Sequence, residues 1–65
     1  MSNLTDAEDA YRQQRAAVQL AGRRVLRRAY RRTHERAVNG SDLAKVRLKA
    51  LADEYTARGL EPPRA

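Results

Sequence analysis

The sequence predicts an all-α protein, an antiparallel helical hairpin with a long helix over about residues 5–38 and a shorter one over about residues 42–58. Three observations carry this expectation. No proline occurs before Pro62, so nothing along the first 61 residues forbids helix. Ala, Leu and Arg, all strong helix formers, supply 31 of 65 residues, as twelve, seven and twelve. A single internal stretch, Asn39-Gly40-Ser41, has the composition of a helix stop.

The first helix opens with Thr5-Asp6-Ala7-Glu8, which fits a capping box: Thr5 caps, and Glu8 reaches back to its amide. Asp6, Glu8 and Asp9 also suit the positive end of the helix dipole. At 100° per residue, Leu4, Ala7, Tyr11, Val18, Gly22, Val25, Leu26, Ala29 and Thr33 share one side, with Tyr30 and Ala37 at its edge. Gly22 on that side implies either close helix packing or a break that would split the segment and give a three-helix unit. Gly40 can take the left-handed conformation that ends a helix, and Ser41 can cap the next. Ala44, Leu48, Leu51 and Tyr55 then repeat at i, i+4, i+7 and i+11. Arg58-Gly59-Leu60 ends the second helix, with Leu60 placed to pack on Tyr55 in a Schellman arrangement. Residues 59–65 form a short C-terminal tail, and residues 1–65 a single small helical domain.

Length makes a second copy part of the expectation. A 34-residue helix spans about 51 Å and a 17-residue helix about half that. The hairpin then leaves Leu4, Tyr11, Val18 and Leu20 without cover, and a homodimer would supply it. The core is thin: seven Leu, four Val and three Tyr, with no Ile, Phe or Trp. Chains of this size bury a limited share of their surface.

Charge is the functional signal. The net charge of +6 resides in residues 23–36, where seven Arg face one acid, Glu35; the remaining seven basic and seven acidic residues cancel. Arg23, Arg24, Arg27, Arg28, Arg31, Arg32 and Arg36 cover about half the circumference of the helix, opposite its apolar stripe. Five of their i, i+4 pairings set Arg against Arg, at a combined cost of about 1–2.5 kcal/mol. Elsewhere signs are mixed: Glu8 with Arg12, and Glu54 with Arg58, are favourable pairs. A row of anions along the arginine face would offset the repulsion. The first expectation is therefore nucleic acid, DNA or RNA, bound through backbone phosphates by all seven arginines, as in a phage or bacterial accessory factor. The alternative is a helical adaptor, inhibitor or assembly component docking that face on an acidic protein surface. Sequence-specific reading is not expected, because a helix-turn-helix alignment on Gly40 places Arg36 where a small residue should sit.

Catalysis is not expected. His34 is the only histidine and reads as part of the solvent-facing basic face; Cys is absent, so neither a disulfide framework nor a Cys-based zinc site is possible. No Gly-rich phosphate loop, nucleophile–base pair, cofactor motif or metal set is present. No signal-peptide core or membrane-length apolar run appears, so a cytoplasmic location, or one inside a virion or larger assembly, and no membrane partner are expected.

Overall fold

The computed structural model describes residues 3–63, with side chains from Ala7 onward. Among them are three helices and no strands: α1 (Asn3–Gln19), α2 (Arg23–Val38) and α3 (Asp42–Ala57). The single long helix over 5–38 is thus corrected to two, and the three-helix alternative with a break near Gly22 matches the architecture. The longest dimension of the molecule is 36 Å, too short for a 34-residue helix.

The break lies at Leu20–Gly22. The amides of Leu20 and Ala21 turn back to Ala17 and Val18 carbonyls, and Gly22 is the extended N-cap of α2 (φ −70°, ψ 164°). No atom lies within 4 Å of where a Gly22 Cβ would stand, so close packing is not its role. The end of α1 is satisfied from afar: Arg58 Nη2 donates to the carbonyls of Val18 and Ala21 at 3.2 and 2.8 Å. A cation on the last carbonyls of a helix also meets the negative end of its dipole.

The other two ends follow local chemistry. Gly40 (φ 99°) closes α2 with amide bonds from Gly40 to Ala37 and from Ser41 to Arg36. Ser41 then caps α3, its hydroxyl accepting from the Ala44 amide at 3.2 Å. Gly59 (φ 70°) closes α3 in the same way, its amide reaching Thr56 and that of Leu60 reaching Tyr55. Both ends are the Schellman pattern, in which left-handed glycine lets two stranded carbonyls be bonded. At the other terminus, α1 is already helical at Asn3, ahead of the expected Thr5 cap; the side chains of that capping box before Ala7 lie outside the described residues.

α3 is the centre of the molecule. It packs on both α1 and α2, which touch each other little. Val18, Leu26, Leu51 and Tyr55 form the core, with Ala21, Ala29, Tyr30 and Leu60 against it. Tyr30 meets Tyr55 edge to face at 5.7 Å, a favoured aromatic geometry. The break shifts the helical phase, so Leu26 is fully buried while Val25, assigned to the same stripe, is 61% exposed.

That shift also corrects the reason for a dimer. Tyr11 and Val18 need no second molecule: Val18 is in the core, and the Tyr11 hydroxyl donates to Asp53 of α3 while Lys49 Nζ sits 5.3 Å from its ring centre. Leu20, at the corner, is 90% exposed. The side chain of Leu4 lies outside the described residues.

Candidate functional site

All seven arginines of α2 are exposed, and among the described residues none forms an ion pair or donates a side-chain hydrogen bond. Their placement opposes the helix dipole. Arg23 and Arg24 occupy the first turn, which holds no acidic residue and whose N-cap offers no side-chain acceptor; cations there are unfavourable by a few tenths of a kcal/mol each. Only Arg36 stands in the last turn, where a cation helps. Glu35, one turn from Arg31, is also exposed and pairs with none of them.

The charges between α1 and α3 behave differently. Glu54 is 6% exposed and bridges two arginines, Arg15 Nη1 at 2.8 Å and Arg58 Nε at 2.6 Å. The hydrogen bond from Arg58, with the attraction of both guanidiniums, holds its carboxyl below the usual glutamate range against the opposing effect of burial. Arg47 Nε reaches Gln14 Oε1 at 2.8 Å. The hydrogen bond to Asp53, with burial and the Asp53 charge, raises the Tyr11 phenol above its ordinary value. No buried side-chain polar atom among the described residues lacks a partner.

The structure divides the seven arginines. Arg23, Arg24, Arg27 and Arg31 fall within about 100° of arc on the side facing the C-terminal segment. With Tyr55, Leu60, Glu61 and Pro63 they line an open groove of about 720 Å³. Arg28, Arg32 and Arg36 occupy the next about 80° of arc, beside exposed Val25. His34 is half-buried and stacked on Tyr30 at 6.4 Å, so it belongs to the edge of the core more than to the solvated face. A second, more apolar hollow of about 450 Å³ lies between α1 and α3, lined by Ala7, Tyr11 and Val46 with Glu8, Arg12, Lys45 and Lys49 around them.

The groove and the Arg15–Glu54–Arg58 bridge were not deduced from sequence. The Glu54–Arg58 half of the bridge was visible as an i, i+4 pair. Arg15 carries no such local mark, and neither does the course of the tail that brings Pro63 to the groove. Among the described residues, no cluster of three His, Cys, Asp or Glu could hold a metal ion, and no helix is long and apolar enough to cross a membrane. No protein-family model, curated protein or solved structure matches the chain.

Proposed function

We propose that this is a small non-enzymatic protein that binds nucleic acid, DNA or RNA, mainly through backbone phosphates. The observation that carries the reading is the exposed, unpaired arginine face of α2, in a molecule whose buried carboxylate is bonded to two cations. Repulsion within that face and cations at the wrong helix end both lower stability. Phosphates would reverse both effects, each neutralised phosphate releasing counterions. Arg23, Arg24, Arg27, Arg28, Arg31, Arg32 and Arg36 are the proposed contacts, of which about three to five reach phosphates at once, since half a helix circumference cannot face one strand.

Salt dependence tests it. The logarithm of affinity should fall with that of salt by roughly 0.9 per phosphate on duplex and 0.7 on single strand. The double variant Arg27→Ala/Arg31→Ala should bind unrelated sequences equally weakly and flatten the duplex slope by about two. Absence of binding to either form near about 50 mM salt, where phosphate contacts are strongest, would overturn the proposal.

One feature favours the alternative of an acidic protein partner. Val25 is 61% exposed beside Arg28 and Arg32, and an apolar side chain among arginines suits a protein contact better than a phosphate. In that case the same double variant would lose one acidic protein from a nuclease-treated pull-down. A homodimer enters the reading through Leu20, 90% exposed at the α1–α2 corner; sedimentation as a monomer at high concentration would remove it.

A further inference from the structure

We infer that the groove between α2 and the C-terminal segment seats a short unpaired stretch of nucleic acid, its phosphates on Arg23, Arg27 and Arg31 and its bases against Leu60 and Pro63. The inference rests on the nucleic-acid reading above and goes beyond it by choosing single strand over duplex.

The arginine wall is a slanting row that turns about 40° around the helix at each step. Arg23, Arg27 and Arg31 follow one another at i, i+4 and i+8, so their stems are about 6 Å apart along the helix axis. That regular step suits the successive phosphates of an extended strand. Arg24 stands beside the row, and among the described residues Glu61 is the one carboxylate lining the groove, four cations against one anion. The facing wall is apolar and fixed. Leu60 is half-buried against the core, and its amide bonds the Tyr55 carbonyl at 2.9 Å. Pro63 extends that wall, and Tyr55 closes its base.

A duplex would use only half of this. It presents phosphates and sugars on its outside and keeps its base faces stacked within, so Leu60 and Pro63 would meet nothing apolar. An unpaired strand exposes base faces beside its phosphates, and proteins that hold such strands pair a basic track with a surface for the bases. Arg28, Arg32 and Arg36 lie around the helix from the groove, outside its lining, and supply general attraction.

The test compares two double variants that remove equal charge. Arg23→Ala/Arg27→Ala empties the groove row; Arg28→Ala/Arg32→Ala empties the far side. Fluorescence anisotropy is read on a labelled oligothymidylate of about 12 nucleotides, within the usual site sizes, and on a blunt duplex of equal length. The native protein should bind the single strand about tenfold more tightly, at the low end for base contacts because the wall is aliphatic. The groove variant should lose about tenfold more affinity for the single strand than the far-side variant. On duplex the two variants should be alike. Circular dichroism should show both folded, since every replaced residue is exposed. If duplex binds as tightly as single strand, or the two variants are equivalent on single strand, the groove inference is overturned while phosphate binding stands. If the native protein binds neither probe, the nucleic-acid reading itself fails.

Discussion

α2 and α3 are each 16 residues long and each end on a left-handed glycine, yet they use charge in opposite ways. α3 lies between two neighbours and buries Ala44, Ala50, Leu51, Glu54 and Tyr55. Its one buried carboxylate is bonded to Arg15 and Arg58. α2 buries only Leu26 and Thr33, and turns seven unpaired arginines to solvent. A charge that the fold needs is paired inside it. Charges left unpaired at high density are a cost to the fold, and their use is to be sought outside it. The two helices thus divide the molecule into a part whose charge the fold uses and a part whose charge it leaves to solvent.

The largest effect should come from the apolar side of α3. Leu51 is 1% exposed, and Leu51→Ala should destabilise by about 2–4 kcal/mol, lowering Tm by roughly 10–20 °C in so small a domain. Val25→Ala on α2 should stay within about 0.5 kcal/mol. Similar shifts in both thermal melts would erase the contrast.

The ion bridge comes next. Glu54→Ala should lower Tm more than Arg15→Ala, because it takes the carboxylate from two guanidiniums, whereas Arg15→Ala leaves Glu54 bonded to Arg58. The folded carboxyl titrates below its ordinary value of about 4.5. Its contribution is therefore fully present above that pH and is lost as pH falls through the depressed folded value. Glu54→Ala should blunt the acid-side loss of stability followed by circular dichroism; an unchanged acid limb would assign that loss to other groups.

A change at the helix ends should make the two helices alike. Gly40→Ala and Gly59→Ala each force an L side chain into positive φ, with nothing near the added methyl, so each should cost about 1–2 kcal/mol. Unequal losses in chemical denaturation would show that one end is strained by more than its backbone.

The smallest effect should have the opposite sign. Arg27→Ala/Arg31→Ala removes the repulsive pairs 23/27 and 27/31 and should leave stability unchanged or raise it by a few tenths of a kcal/mol. A clear loss in the melt would mean that these arginines hold the fold, and the division between α2 and α3 would be wrong.

What the sequence made legible is what is encoded locally. The shorter helix, expected over about 42–58, is observed at Asp42–Ala57 with both its Ser41 cap and its Leu60 closure. The arginine face is exposed where the periodicity placed it. The break before Gly22 was legible only as an alternative, because the atom that stabilises it is a guanidinium 37 and 40 residues away. One missed corner displaced Val25 from the core, covered Tyr11 and Val18, and removed most of the case for a second copy. On α3 the periodicity placed Ala44, Leu51 and Tyr55 where they are buried, but it missed Ala50 and Glu54 beside them, and a hydrophobic pattern counts a glutamate as outside.

The reach of Arg58 to Val18 and Ala21 has a consequence for the order in which the molecule assembles and opens. α2 and α3 are joined through Ser41, which closes one helix and starts the next, so their pairing needs only a short loop. α1 is fastened by contacts spanning 33–42 residues, with little support from α2. Contacts distant in sequence pay loop closure before they return any stabilisation. α1 should therefore be the last segment to dock and the first to lift, and in a hydrogen-exchange experiment its amides should exchange ahead of those of α2 and α3. The arginine row and its facing wall belong to the α2–α3 half and should persist through such openings.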